Sequence, residues 1–369
     1  MTRDSSAIQQ RLAAALAQTS TRWAGCQLQV LPDSGLAHTH VRLVGHGALA
    51  RVPKQSQMGL ASDVNLAYQA ACFERAAASG HTPALLGVLP PSAALPRGAL
   101  IVEEVLGQAA VLPQDLPAIV TALARLHQLP LPALDMRAPL LAAADPMADL
   151  LADIQAQAVW LDAAQIDPPA RQAIDAEIAR FHALCAQPQR PPLSLIAFDA
   201  HPGNFMLRTD GTAVLVDLEK CRYSHAPLDI AHATLYTSTT WNVAGSAVLR
   251  TEEVTAAYAV WSREMGAAAL ALNDWHLPLR RAMWLWSITW CAKWRVVSTA
   301  ASAATAAGED WSSQLSEPAL IAHVKGRVDH YLSTPIILQL LEEFDALANA
   351  MPKSIQDDEN TVMMRAQKS

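Results

Sequence analysis

Residues 195–220 read LIAFDAHPGNFMLRTDGTAVLVDLEK, a stretch in which acidic residues follow short apolar runs. An apolar run leads into the loop segment DAHPGN, and two further apolar runs, FML and AVLVDL, flank an Asp-Gly pair. Asp-Gly between two short apolar runs is typical of a hairpin turn. Pairing in that hairpin would bring the end of its second strand close to the loop before the first. Asp199, Asn204 and Asp217 are therefore predicted to converge in one small volume.

Side chains of these three types suit phosphoryl transfer. One carboxylate can orient and deprotonate an attacking hydroxyl, while an amide oxygen and a second carboxylate hold Mg²⁺ against phosphates. The same residues also suit ordinary structure, because Asp199 and Asn204 can shape a turn and Asp217 can cap a strand. The spacing alone leaves both interpretations open.

The composition limits the class of partner. A chain of 369 residues is long enough for two domains or one bilobal domain. A net charge of -7 without a long basic run argues against nucleic acid or an anionic membrane as the main partner, and slightly favours a small cationic ligand. We expect no transmembrane segment, because no stretch of about 18 uninterrupted apolar residues occurs. The five cysteines are scattered and never in a C-x-x-C pair, which predicts reduced thiols and a cytoplasmic protein. The sequence does not indicate an oligomeric state.

The order of the predicted elements indicates two lobes. Residues 25–54 alternate as strands do, a helical pattern runs from Asp63 to Gly80, and two more strands follow. Further helices are predicted at about 115–128, 145–163, 168–186, 228–240, 250–265, 279–300 and 317–347. We therefore expect an N-terminal lobe with a leading helix at 1–102, a hinge at 103–107, a helical C-terminal lobe at 108–349 and a mobile tail at 350–369. A cleft at the hinge is the default place for a ligand.

The motifs resemble those of the aminoglycoside phosphotransferase and choline/ethanolamine kinase superfamily, whose members share a protein-kinase-like fold. DAHPGN, followed by VDLE with its Asp 13 residues after the Asn, looks like the superfamily's catalytic and metal-binding segments. SGLAHTHVRL and LARVPK resemble its nucleotide loop and the strand that follows. The resemblance implies an α+β bilobal fold, with a small antiparallel-sheet N-lobe that binds nucleotide and a larger, mainly helical C-lobe.

The resemblance also implies a role for each matched residue. Asp199 would be the catalytic base, Asn204 and Asp217 would hold Mg²⁺, and Asp229 would brace the catalytic loop. The implied activity is an ATP- and Mg²⁺-dependent phosphotransferase that acts on the hydroxyl of a small, amine-bearing molecule. Such a molecule would be choline- or ethanolamine-like, or aminoglycoside-like.

ATP would contact residues in the strand-rich part and at the hinge. Arg51 occupies the place of the Lys or Arg that meets the phosphates, and Gly35 and His38 belong to the nucleotide loop. Glu103 and Val105 lie in the joint that would hold adenine through backbone hydrogen bonds.

Two departures from the superfamily pattern keep a second function open. Ala197 stands where a loop-supporting His is usual, and Gln69 stands where a Glu usually pairs the phosphate-binding cation. Since Gln69 cannot neutralise Arg51, the nucleotide site is expected to keep an extra positive charge. The alternative function is a kinase-like protein that binds a nucleotide or metabolite without transferring phosphate.

The candidate acceptor residues are aromatic. Trp286, Trp290 and Trp294 recur every four residues on one helical face, which suits either core packing or an aromatic wall for a cation. We expect core packing for most of them, with Trp286 and Trp290 as candidate substrate contacts. Tyr223, six residues after Asp217, is a further candidate.

Overall fold

The strand-rich part of the chain forms a five-stranded antiparallel sheet. The computed structural model describes residues 3–19, 22–32, 37–242, 245–298 and 318–351. The sheet has the order β1-β2-β3-β5-β4. Its strands are β1 (Leu28–Val30), β2 (His38–Leu43), β3 (Ala48–Pro53), β4 (Leu85–Leu89) and β5 (Ala99–Glu103). The predicted small antiparallel sheet is confirmed.

Each face of this sheet is covered by one helix. Side chains alternate across a strand, so Ile101 of β5 packs in the cluster that includes α1 (Arg3–Thr19), while Leu100 and Val102 pack with α2 (Ser62–Ala76). A short 3₁₀ turn extends α2 to Gly80, whose φ of 72° ends it. That left-handed conformation is one that glycine adopts without a steric penalty.

The rest of the chain is mainly helical, as predicted. Its helices are α3 (Leu116–His127), α4 (Pro146–Ala158), α5 (Pro168–Cys185), α6 (Pro227–Thr234), α7 (Tyr236–Thr239), α8 (Thr251–Met265), α9 (His276–Val297), α10 (Pro318–Tyr331) and α11 (Thr334–Ala350). The central helix is α9, because α4, α5, α6 and α10 all contact it. None of the helices described is both long and apolar enough to cross a bilayer.

Two of the predicted helices are each broken in two. The helix expected at 317–347 divides into α10 and α11 because Pro335, at the start of α11, lacks the amide that a continuous helix needs. The helix expected at 228–240 divides into α6 and α7 at Leu235, which is extended and fully buried. A helical sequence pattern does not reveal such a break, because the apolar residues on both sides still face the core.

Two small sheets carry the loops of the central sequence stretch. In one, β8 (Phe205–Leu207) pairs with β9 (Ala213–Leu215) and with β6 (Gln108–Ala109). In the other, β7 (Ser194–Ile196) pairs with β10 (Arg222–Ser224). The hairpin predicted around the Asp-Gly turn is therefore present, as β8 and β9.

A buried histidine in the helical part makes stability depend on pH. His276 packs against the rings of Tyr258 and Trp261 at centroid distances of 4.8 and 5.4 Å, and burial lowers its pKa to about 4. Between pH 6.5 and 4 the unfolded chain therefore binds a proton that the folded protein does not. The free energy of unfolding must fall as pH falls through this window, by about 2 kcal/mol between pH 6.5 and 5 for this one group.

His276→Leu is expected to remove that contribution. Guanidinium unfolding at pH 7 and pH 5 should show a smaller loss of stability in the variant than in the unmodified protein. His46→Leu, at an exposed position, is the control and should keep the full pH dependence. Equal pH dependence in His276→Leu and the unmodified protein would show that His276 does not contribute.

Candidate active site

Asp199, Asn204 and Asp217 line one cavity of about 390 Å³. Backbone hydrogen bonds explain why they meet. Phe205 pairs with Leu215 in the hairpin, and the Val216 amide donates to the Asn204 carbonyl at 2.9 Å, so the loop and the end of β9 are held side by side. The predicted convergence of the three side chains is confirmed.

The loop before Asp199 is held by a buried carboxylate on α6. The amides of Ala197 and Phe198 donate to the two oxygens of Asp229 at 2.7 and 2.8 Å. His127 Nε2 also donates to Asp229, at 3.0 Å, and its Nδ1 accepts a hydrogen bond from Trp261. Asp229 therefore braces the loop that carries Asp199, the contact that the resemblance implied.

Phe198 is the strained residue of this loop. Its φ of 62° lies in the left-handed region, where a non-glycine residue costs on the order of 1 kcal/mol or more. Both polar groups of Phe198 are used, because its amide binds Asp229 and its carbonyl accepts from His232 Nδ1 at 3.2 Å. The loop is therefore supported from α6, which carries Asp229 and His232.

The environment of Asp199 keeps its side chain ionised. Lys220 Nζ lies 3.0 Å from Asp199 Oδ2, and His232 Nδ1 lies 4.0 Å from Oδ1. Burial alone would raise the pKa of Asp199, but Lys220, His201 and His232 together hold it well below its ordinary value. At neutral pH the group is therefore a carboxylate that accepts hydrogen bonds.

Asp217 forms an ion pair with Arg51 of β3. Arg51 Nη2 donates to Asp217 Oδ1 at 2.7 Å, and Nη1 donates to the Val216 carbonyl at 2.7 Å. Although burial would raise the pKa of Asp217, the charges of Arg51 and then His38 lower it. The prediction that Arg51 keeps an uncompensated charge because Gln69 replaces a Glu is wrong, since Asp217 neutralises it.

Gln69 instead belongs to a buried network beside Asp217. His38 Nε2 and Gln69 Oε1 are 3.0 Å apart, and Gln69 Nε2 donates to Glu219 at 3.4 Å. Burial first, and then the charge of Asp217, raise the pKa of Glu219 to about 8. His38, Asp217 and Glu219 are close enough to share a metal ion, and Arg51 contacts two of them, His38 and Asp217.

Of the nucleotide residues predicted from the sequence that the structure describes, only one lines the cavity. His38 lines the cavity, and Arg51 reaches it through Asp217. Gly35 lies outside the described residues. Glu103 forms an ion pair with Arg208 at 2.6 Å, and Val105 is buried in the joint that follows β5.

The candidate substrate residues separate into two places. Trp286 and Trp290 line the cavity, while Trp294 is buried in the helical core. Tyr223 is not among the residues that line it, because β10 pairs with β7 and places the Tyr223 ring 5.4 Å from the guanidinium of Arg137.

Several cavity residues were not predicted from the sequence. Among them are Lys220 and His232 beside Asp199, and Trp241, His323 and Tyr331. Trp241 lies 6.0 Å from Trp290 and 6.3 Å from Tyr331 between ring centroids. The only signal for Lys220 was its position three residues after Asp217. The others come from later segments: His232 from α6, Trp241 from the turn after α7, and His323 and Tyr331 from α10.

Solved structures with a protein-kinase-like fold superpose on this chain. A choline/ethanolamine kinase family protein from Mesorhizobium loti is 16% identical over 91% of this chain and 99% of its own, with a TM-score of 0.56. The choline kinase of Cryptosporidium parvum is 13% identical over 93% and 99%, with a TM-score of 0.57. Aminoglycoside 2'-phosphotransferase-IIIa, solved as its GDP complex, is 15% identical over 87% and 98%, with a TM-score of 0.55. At these identities the likeness shows the fold.

The sequence itself identifies the family. A model of the phosphotransferase enzyme family matches residues 59–267, more than half of the chain. No curated protein sequence matches. The chain therefore belongs to the phosphotransferase enzyme family, and the predicted membership and fold class are confirmed.

Proposed function

We propose that this protein is an ATP- and Mg²⁺-dependent kinase that phosphorylates a hydroxyl of a small molecule carrying one cationic group. The observation that carries the proposal is the convergence of Asp199, Asn204 and Asp217 on one cavity that is also lined by aromatic side chains. We place the nucleotide lobe at 1–102, the hinge at 103–107 and the acceptor-binding lobe at 108–349. The five cysteines are scattered and never in a C-x-x-C pair, which suits a reducing compartment such as the cytoplasm.

The donor atoms fit a hard divalent cation. Asn204 Nδ2 donates to the Asp199 backbone carbonyl at 2.9 Å, which leaves the amide oxygen as the metal-binding atom. The ion pair with Arg51 uses Oδ1 of Asp217. Oxygen ligands of this kind are those that Mg²⁺ prefers, and the bound ion would neutralise charge on the phosphates.

The role of Asp199 is to position the acceptor hydroxyl. Because its pKa lies well below its ordinary value, the carboxylate is ionised and accepts a hydrogen bond from the hydroxyl. The proton passes to Asp199 as the bond to phosphorus forms. Most of the rate enhancement would then come from alignment and from charge stabilisation.

The charges around the cavity favour one cation over several on the acceptor. Among the lining residues that the structure describes, the carboxylates are Asp199 and Asp217, and each is already paired with a side-chain cation. The cavity is also lined by Trp241, Trp290 and Tyr331, whose rings lie close to one another. Buried ammonium groups need carboxylate partners, whereas a single quaternary amine is stabilised by aromatic faces. A choline-like alcohol therefore fits better than a polycationic aminoglycoside.

An acceptor panel tests the proposed function. ADP release from Mg-ATP would be measured with choline, ethanolamine, thiamine and an aminoglycoside at equal concentrations. We expect the highest kcat/KM with choline or ethanolamine. Turnover confined to the aminoglycoside would contradict the proposed acceptor class.

Trp290→Leu is expected to weaken acceptor binding without slowing transfer. Loss of one good cation-π contact, about 0.5 to 2 kcal/mol, should raise the KM for the acceptor by about 2- to 30-fold and leave kcat within about twofold. Trp160→Leu is the control, since Trp160 is a partly exposed tryptophan outside the cavity lining. An unchanged KM in Trp290→Leu would remove Trp290 from the acceptor site.

One observation favours the alternative, a protein that binds a nucleotide without transferring phosphate. Arg51 and Lys220 already neutralise the two carboxylates that the reaction needs. This alternative predicts saturable nucleotide binding with no ADP formed in the presence of any acceptor. Calorimetric titration combined with the acceptor panel distinguishes the two functions.

A further inference from the structure

Lys220 lies between the proposed acceptor site at Asp199 and the proposed metal ligand Asp217. Its Nζ is 3.0 Å from Asp199 Oδ2, its side chain is 12% exposed, and it lines the same cavity as Asp199 and Asp217. A tight turn explains this position, because the Cys221 amide donates to the Leu218 carbonyl at 3.0 Å and reverses the chain. Asp217 and Lys220 are therefore presented to the cavity from the two sides of one turn.

No other Lys or Arg is available at this point among the described residues that line the cavity. The catalytic loop, DAHPGN, contains no lysine or arginine. Arg51 is held by Asp217 and by the Val216 carbonyl, on the nucleotide side. Lys220 is consequently the cation beside the carboxylate that would hold the acceptor hydroxyl.

Phosphoryl transfer requires positive charge at this position. In the transition state, negative charge is spread over the three equatorial oxygens of the transferring group, which lies between the donor phosphates and the attacking oxygen. A fixed ammonium group next to the attacking oxygen stabilises that charge in a site with little water. A carboxylate next to the same oxygen would otherwise repel the incoming phosphoryl group.

Trp286 helps to fix the ammonium group. The Lys220 Nζ lies 5.7 Å from the centroid of the Trp286 ring, within the range of a cation-π contact. The Trp286 ring in turn packs edge-on against Phe198 at 5.0 Å, beside the loop that carries Asp199. Trp286 therefore already contacts a cation of the protein, which leaves Trp290 and Trp241 as the aromatic surfaces for an acceptor.

We propose that Lys220 binds the transferring phosphoryl group, and this assignment rests on the proposed function. During transfer the bond between the γ-phosphorus and the bridging oxygen of ATP breaks, and its electron pair stays on the β-phosphate of ADP. A bond forms between the acceptor oxygen and the γ-phosphorus, and the acceptor proton passes to Asp199. Lys220 stays protonated throughout and contacts the equatorial oxygens.

The test compares the affinities for a triphosphate and a diphosphate. Isothermal titration calorimetry would measure the Kd values of Mg-ADP and of the β,γ-imido analogue of Mg-ATP for the unmodified protein, Lys220→Met and Lys220→Arg. We expect the unmodified protein to bind the triphosphate at least about tenfold more tightly than the diphosphate. That ratio should fall to about one in Lys220→Met and be partly retained in Lys220→Arg. A merely structural role would change both affinities together and leave the ratio unchanged.

Lys325→Met is the matched control, because Lys325 is exposed on α10 and does not line the cavity. If Lys220→Met does not fold, as judged by thermal unfolding, Lys220→Gln takes its place in the same measurement. An unchanged ratio in a folded variant, or no triphosphate preference in the unmodified protein, would overturn the role of Lys220 and leave the proposed function standing. Failure of the unmodified protein to bind either nucleotide would overturn both.

Discussion

Asp199→Asn should lower kcat by about 10³-fold while leaving the affinity for Mg-nucleotide within about threefold. The variant keeps the size of the side chain but removes the charge that orients the acceptor hydroxyl and takes its proton, a contribution of 10² to 10⁴ in rate. Nucleotide affinity should be retained because Asp217, Asn204 and Arg51, which face the phosphates in our proposal, are untouched.

The measurement is steady-state turnover with the best acceptor, together with calorimetric titration of the nucleotide. Asp149→Asn, at an exposed position on α4, controls for a general loss of one negative charge and should be unaffected. A kcat within about tenfold of the unmodified value would refute the assignment of Asp199 as the base. A parallel loss of nucleotide affinity would instead assign Asp199 to the phosphate site.

Asp229→Ala is expected to cause the largest loss of stability among single substitutions near the site. Asp229 is fully buried and accepts hydrogen bonds from the Ala197 amide, the Phe198 amide and His127. Removing the carboxylate leaves three buried donors without a partner, each at about 1 to 3 kcal/mol. Since Phe198 would also lose the contact that holds its strained conformation, the free energy of unfolding should fall by about 3 to 5 kcal/mol.

Guanidinium unfolding at pH 7 measures this loss, and Asp149→Ala is the surface control. Asp229→Asn should be intermediate, because its amide oxygen can still accept from one donor while its NH₂ group cannot accept at all. The loop that carries Asp199 should also shift when Asp229 is replaced. We therefore expect kcat to fall in both Asp229 variants. A loss below about 1 kcal/mol in Asp229→Ala would show that the loop does not depend on this carboxylate.

The sequence predicted the parts of the site that depend on local pattern. The Asp-Gly turn and its flanking apolar runs were enough to predict the β8–β9 hairpin, and that hairpin brings Asp199, Asn204 and Asp217 together. The antiparallel sheet followed in the same way from alternation and glycine turns. In each case residues close in the chain determine the geometry.

Contacts between distant segments could not be predicted in this way. Arg51 meets Asp217 across 166 residues, and His127 meets Asp229 across 102. The sequence indicated that a Gln replaces an expected Glu, but not that Asp217 would neutralise Arg51 instead. Lys220 is ambiguous in sequence, since a lysine in a polar turn is usually exposed to solvent. Its contact with Asp199 depends on how the turn packs against α9.

The proposed activity is transfer of the γ-phosphoryl group of ATP to an alcohol in this cavity. Phosphorus-31 NMR of the protein with Mg-ATP and choline follows the γ-phosphate directly, with Asp199→Asn as the paired sample. We expect the γ-phosphate signal to be replaced by a phosphomonoester signal in equal amount to the ADP formed, and no such change in Asp199→Asn. If the nucleotide binds but its γ-phosphate signal persists with every acceptor of the panel, the protein is a nucleotide-binding member of its family and the claim is contradicted.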